Sequence, residues 1–182
     1  SASVLSVASG ASTTNIVTWN LGSNTAGIAQ QQVISGTVSA IYALAGKTPG
    51  AGGAATNLFS AFSLPSGPWV TKGATPATIQ KGGALTSDGA FIYATAGNNA
   101  TTFFRCNATT TGSAGSCDTS WSTLANTGTG LGEGGALQYL NVAGTNYVYA
   151  LMGNNTTTFR RYNISTNAWA NMANVPGAVK KG

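Results

Sequence analysis

The residues able to perform acid–base or nucleophilic chemistry are few in this 182-residue chain, which has three acids, eight lysines and arginines, two cysteines and no histidine. Without imidazole, a Ser-His-Asp or Cys-His pair is excluded, and so is a metal site built on histidine. A glycosidase needs two carboxylates at a defined separation, but Asp88, Asp118 and Glu133 fall in predicted turns and strand starts. We therefore predict no enzyme, cofactor or metal site, although a tyrosine or lysine base stays open.

The two cysteines, Cys106 and Cys117, flank a loop rich in Ser, Thr and Gly between two predicted strands. With neither a histidine nor a third cysteine to complete a metal site, we predict a disulfide across this loop. Disulfides persist in oxidising compartments, which points to an extracellular or cell-surface protein. Candidate N-glycosylation motifs occur at Asn99, Asn107, Asn154, Asn155 and Asn163. In a sequence this rich in Asn and Thr, unmodified turn asparagines are the alternative.

The net charge of +5 and the pI near 9.5 do not indicate nucleic-acid binding. Nucleic-acid-binding proteins cluster basic residues on one face, whereas the basic residues here are scattered and the pI is high because acids are scarce. No run of 18 apolar residues is present, so we predict no membrane insertion.

A repeat runs along the chain. The four tryptophans, Trp19, Trp69, Trp121 and Trp169, are spaced by 50, 52 and 48 residues. Thirteen residues after each of the last three comes Gly82, Gly134 or Gly182, and the corresponding segment after Trp19 is the degenerate 30–34.

Two further segments recur in phase with the tryptophans. The tyrosine segments 40–46, 91–97 and 148–153 match one another, and segment 101–107 matches 157–163. These runs are rich in β-branched and aromatic residues and are separated by Gly, Asn and Asp, which is typical of strands joined by tight turns. We predict four short strands per repeat and almost no helix.

Four antiparallel strands with a period near 50 residues are typical of a β-propeller blade. The diglycines, the strand tyrosine and the late tryptophan resemble kelch-type repeats, and the resemblance implies an all-β, propeller-type fold. It also implies that the glycines lie where blades converge on an axis, and that the aromatic residues fill the space between blades. The predicted repeat core is Trp19, Trp69, Trp121, Trp169, Tyr42, Tyr93, Tyr149, Gly82, Gly83, Gly134 and Gly135.

We predict a single propeller-like domain over residues 1–182, with about 3.5 blades. Residues 1–29 are expected to form the late strands of a split blade, followed by repeats at 30–81, 82–133 and 134–169, and by the start of another blade at 170–182. Closed propellers have four to eight blades. We therefore expect completion by another chain, by this chain's own termini, or by sequence beyond this segment.

Charged residues recur at one position of the repeat, namely Lys81, Glu133 and Lys181. One interpretation is a Lys–Glu pair that joins adjacent blades. The other is a small charged pocket at the mouth of a central channel.

These features favour a non-enzymatic structural or adhesive protein, secreted or on the cell surface, that assembles with copies of itself into a shared propeller or a filament. A carbohydrate-binding propeller module is the first alternative, with glycans as partners. A fragment of a secreted propeller enzyme is the second.

Overall fold

A computed structural model describes residues 28–30, 40–46, 54–64 and 66–180. Within these ranges the protein is all-β, with three four-stranded antiparallel sheets and no helix. The all-β prediction is therefore confirmed for the described residues. Three sheets are fewer than the four to eight of a closed propeller.

Each sheet is formed by four strands that are consecutive in sequence. Sheet 1 contains β1 (Ile28–Gln30), β2 (Ala40–Leu44), β3 (Phe59–Ser63) and β4 (Trp69–Thr71). Sheet 2 contains β5 (Ala84–Ser87), β6 (Phe91–Thr95), β7 (Phe103–Asn107) and β8 (Ser122–Thr123). Sheet 3 contains β9 (Ala136–Val142), β10 (Thr145–Leu151), β11 (Phe159–Asn163) and β12 (Ala168–Asn171).

The first repeat begins earlier than the sequence predicted. Ile28 pairs with Ala43 in sheet 1, as Leu85 pairs with Ala94 in sheet 2, so the apolar strand residue lies at 28 rather than within 30–34. Connections between strands vary in length, so a constant spacing from each tryptophan to the next first strand does not locate this strand. Trp19 and residues 31–34 lie outside the described part of the chain.

The burial pattern distinguishes the middle sheet from the outer two. In sheet 2, β6 and β7 are buried on both faces. In the outer sheets, β2, β3 and β10 bury alternate residues, and β11 buries only Tyr162. One apolar core lies between sheets 1 and 2, and a second lies between sheets 2 and 3. Sheet 2 is therefore enclosed, and sheets 1 and 3 each bury one face.

The first strands of the three sheets lie side by side, with β1 beside β5 and β5 beside β9. The backbones approach so closely that a Cβ atom on Gly82 would overlap the carbonyl of Gly132, and one on Gly134 would overlap the carbonyl of Lys180. Both glycines also have positive φ values, +81° and +80°, which side chains disfavour. Gly82 therefore stands where sheets 2 and 3 meet, and Gly134 lies against the segment that follows sheet 3.

Candidate functional site

Lys81 and Glu133, the two described residues of the recurring charged position, form an ion pair of 3.1 Å between sheets 2 and 3. This geometry matches the interpretation in which the pair joins adjacent sheets. Lys81 is exposed and Glu133 is partly exposed, so the pair contributes at most about 1 kcal/mol. Lys181 lies outside the described residues, and the described part of the chain holds no group of three His, Cys, Asp or Glu side chains suited to a metal.

Asp88 organises the hairpin between β5 and β6. Its Oδ1 accepts hydrogen bonds from the backbone N–H groups of Ala90 and Phe91, and its Oδ2 accepts one from the buried Tyr93 hydroxyl at 2.8 Å. Burial, and then the Asp88 carboxylate, raise the pKa of Tyr93 well above its usual value. A raised pKa is the opposite of what a general base at neutral pH requires.

Burial also raises the pKa values of Tyr42, Tyr139 and Tyr162, and it is the largest cause in each case. Asp118 adds to the effect on Tyr42, and Asp88 adds to that on Tyr139.

We predict that alkali unfolds the protein because of these tyrosines. The folded state keeps their protons above pH 10, the ordinary tyrosine pKa, whereas the unfolded chain releases them. Stability is thus fully present below about pH 10 and falls as the pH rises through the folded pKa values. Chemical denaturation at increasing pH, with phenolate absorbance followed in parallel, measures this. A free energy of unfolding that stays constant above pH 10 would contradict the assignment, and Tyr93→Phe should flatten the decline.

Cys106 and Cys117 are joined by a disulfide that closes the loop after β7. A disulfide is consistent with an extracellular location. The loop docks on sheet 1, because Gly73 donates its N–H to the Cys117 carbonyl at 2.8 Å and Lys72 pairs with Asp118 at 2.6 Å. The sequence predicted Asp118 only as a turn residue, and no local signal relates it to a lysine 46 positions away.

Replacement of both cysteines by serine should lower the free energy of unfolding by about 3 kcal/mol, because the bridge restricts the unfolded chain across its loop. Urea denaturation of the double variant and of the oxidised protein measures the difference. Reductant should cause a similar loss in the native protein and none in the variant. A loss below about 1 kcal/mol would mean that the loop is held by its contacts with sheet 1 instead.

The asparagines of the candidate glycosylation motifs lie in turns or at the last residue of a strand. Asn99, Asn154 and Asn155 are exposed and have positive φ values, a conformation that asparagine tolerates. The side-chain oxygens of Asn107 and Asn163 accept hydrogen bonds from the residues two positions later. Each asparagine therefore has a conformational role in the unmodified chain, and glycosylation stays a prediction.

Trp121 and Trp169 connect each sheet to the one before it. The indole N–H of Trp121 donates to the Gly73 carbonyl at 3.0 Å, and that of Trp169 donates to the Ala125 carbonyl at 3.0 Å. Both side chains are partly buried against the cores. Trp69, predicted as core, is instead 52% exposed, because no described sheet precedes sheet 1.

The tyrosines of the repeat also differ from one another in burial. Tyr42 and Tyr93 are buried, but Tyr149 is only half-buried. Tyr149 lies on the side of sheet 3 opposite sheet 2, so nothing in the described chain covers it as sheet 3 covers Tyr93.

Two faces therefore remain that no described sheet covers. The front face of sheet 1 is defined as Ile41, Ala43, Ser60, Phe62 and Trp69. The back face of sheet 3 is defined as Tyr147, Tyr149, Leu151, Phe159 and Arg161. The register equates the back face with Phe91, Tyr93, Thr95, Phe103 and Arg105 of sheet 2. Of these, Tyr93, Thr95 and Phe103 are buried, whereas their sheet 3 counterparts are only half-buried. The sequence predicted an incomplete set of blades. It did not identify these two faces, because the side of the sheet on which each residue lies is clear only from the strand register.

Cations reinforce the aromatic character of these positions. Arg105 stacks over the Phe91 ring at 4.4 Å, and Arg161 stacks over the Tyr147 ring at 4.2 Å. Such contacts contribute about 0.5–1 kcal/mol where exposed. The recurring arginines therefore partner aromatic rings of their own sheets.

A scan against protein-family models found no match, and a search of curated proteins also found none. Among solved structures, one titled "Structure of YjhT" is similar at 20% identity with a TM-score of 0.41, covering 58% of this chain and 31% of that chain. This chain thus spans about a third of the length of that structure. In the described residues, no helix is long and apolar enough to cross a membrane.

Proposed function

We propose that this chain is a non-enzymatic structural or adhesive protein, extracellular or on the cell surface, which assembles with copies of itself. Its three sheets would be blades of a kelch-like β-propeller or of an open array with the same packing. The observation that carries the proposal is the back face of sheet 3. It repeats the aromatic and arginine pattern of an internal packing surface, yet it remains only half-buried.

A packing surface that no described sheet covers, such as the back face of sheet 3, favours association between copies of the chain. Burying apolar area releases about 25 cal/mol per Å², and contiguous apolar patches on soluble proteins are typical of interaction sites. The front face of sheet 1 provides a second such surface, with Trp69 52% exposed. Two different open faces at opposite ends of one array suit repeated assembly better than a single ligand.

Light scattering on the purified chain, with negative-stain images of the same sample, tests the proposal. We expect particles that contain two or more chains of 18.1 kDa, arranged as a discrete ring or as a filament. A monomer at all concentrations would overturn self-assembly.

Carbohydrate binding is the second candidate, because the Tyr147 and Tyr149 side chains are partly exposed. Arg161 already covers one side of Tyr147, and Tyr149 stacks with Phe159 at 5.7 Å, which leaves little free ring for a sugar. Glycan-array binding that Tyr149→Ala abolishes would favour this candidate over assembly.

A further inference from the structure

Both internal interfaces use one aromatic arrangement. The back face of sheet 1 stacks Tyr42 on Phe59 at 5.5 Å, and Trp121 of sheet 2 meets Phe59 edge-on at 4.8 Å. The back face of sheet 2 stacks Tyr93 on Phe103 at 6.0 Å, and Trp169 of sheet 3 meets Phe103 edge-on at 5.1 Å. The pair on one sheet thus receives the tryptophan of the next.

Sheet 3 holds a third copy of the receiving half. Tyr149 stacks on Phe159 at 5.7 Å with an interplanar angle of 23°, close to the angle of 21° between Tyr93 and Phe103. No tryptophan of the described chain meets Phe159. The carbonyl of Ala173 lies four residues after Trp169, as the acceptor carbonyl of Gly73 lies four after Trp69.

Sheet 1 holds a third copy of the donating half. Trp69 contacts Phe62 of its own sheet at 5.5 Å, but its indole N–H has no hydrogen-bond acceptor among the described residues. Within the described residues, the front face of sheet 1 is thus a donating surface that meets no receiving pair.

We infer that the front face of sheet 1 in one copy docks on the back face of sheet 3 in a second copy, head to tail. In this contact Trp69 lies edge-on against the partner's Phe159 and donates its indole N–H to the partner's Ala173 carbonyl. The inference rests on the proposed self-assembly and names the surfaces that perform it. One contact of this kind covers both open faces, and repeating it builds a ring or a filament, depending on the rotation between copies.

Charge opposes the symmetric alternative of two back faces meeting. Arg161 lies on the back face of sheet 3, so a back-to-back pair would bring two guanidinium groups together, and like charges across an interface disfavour a pairing. The front face of sheet 1 carries no charged residue, so the head-to-tail contact avoids this repulsion.

A mixing experiment tests the inference. Trp69→Asp blocks the front face, Phe159→Asp blocks the back face, and Val70→Asp is a control at an exposed neighbour of Trp69 that lies on the opposite side of the strand. Circular dichroism checks that each variant folds, and Tyr149→Ser replaces Phe159→Asp should that variant unfold. Light scattering then measures each variant alone and in an equimolar mixture.

We expect the wild type and Val70→Asp to assemble, whereas each face variant alone stays monomeric. A tryptophan at the centre of an interface typically accounts for a loss of about 30-fold or more in affinity. The mixture should yield a dimer and nothing larger, because one intact front face meets one intact back face. If the wild type assembles and each face variant on its own also assembles, the head-to-tail contact is wrong although self-assembly is not. The same holds if the wild type assembles but the mixture of the two face variants stays monomeric. A monomeric wild type would overturn the proposed self-assembly itself.

Discussion

Replacing Gly82 by alanine should destabilise the fold by at least about 3 kcal/mol. Two causes add. Alanine at the φ of +81° found there costs about 1–2 kcal/mol, and its Cβ would overlap the backbone carbonyl of Gly132 in the connection that leads into sheet 3. A backbone atom cannot rotate away as a side chain does, so the sheets must separate at their first strands. Urea denaturation of the purified variant measures the loss.

Gly144 provides the matched control. Its φ of +83° is nearly the same, but a Cβ added there meets nothing within 4 Å, because it lies at the tip of the β9–β10 hairpin. Gly144→Ala should therefore cost only the conformational share, about 1–2 kcal/mol. Equal losses for Gly82→Ala and Gly144→Ala would mean that the first strands do not converge as described. Gly134→Ala should resemble Gly82→Ala, since it would overlap the Lys180 carbonyl.

The sequence was sufficient to predict the all-β class and the four-strand unit, because turn residues and aromatic strand residues recur in phase. The disulfide could also be predicted, since the loop between Cys106 and Cys117 is short and no other ligand set exists for the two thiols. These features depend on local chemistry or on periodicity. Both can be read without knowing which strands pair.

The exposure of Trp69 could not be predicted in this way. Its sequence neighbourhood matches those of Trp121 and Trp169, and only the position of its sheet at the end of the described array distinguishes it. The Lys72–Asp118 ion pair was missed for a related reason, since the residues are 46 positions apart. A repeat predicts what each unit presents to its neighbours but not which neighbours are present.

The burial of two equivalent phenylalanines differs, and so should the free energy that each contributes to folding. Phe103 and Phe159 occupy the same register position, opposite Thr95 and Leu151 respectively. Sheet 3 encloses Phe103 completely, with Tyr162 at 4.9 Å and Trp169 at 5.1 Å. Phe159 is only half-buried.

Truncating Phe103 to alanine should therefore cost about 3–5 kcal/mol, the usual range for a buried phenylalanine that leaves a cavity. Phe159→Ala should cost the isolated chain about 1–2 kcal/mol, since a partly exposed ring loses less contact and solvent fills the space. Denaturation at a protein concentration below the onset of assembly measures both variants, and the wild type under the same conditions is the reference. Equal costs would mean that Phe159 is already covered within one chain.

Assembly should then increase the free-energy loss caused by Phe159→Ala but not the loss caused by Phe103→Ala. As protein concentration increases, ligand-like binding of a second copy stabilises the wild type by mass action. The Phe159→Ala variant lacks the surface for that binding, so its stability should not rise with concentration. Phe103→Ala keeps the back face of sheet 3, and its stability should follow the concentration dependence of the wild type from a lower starting value. A concentration-independent wild type would show that the open face of sheet 3 is not an interface between copies.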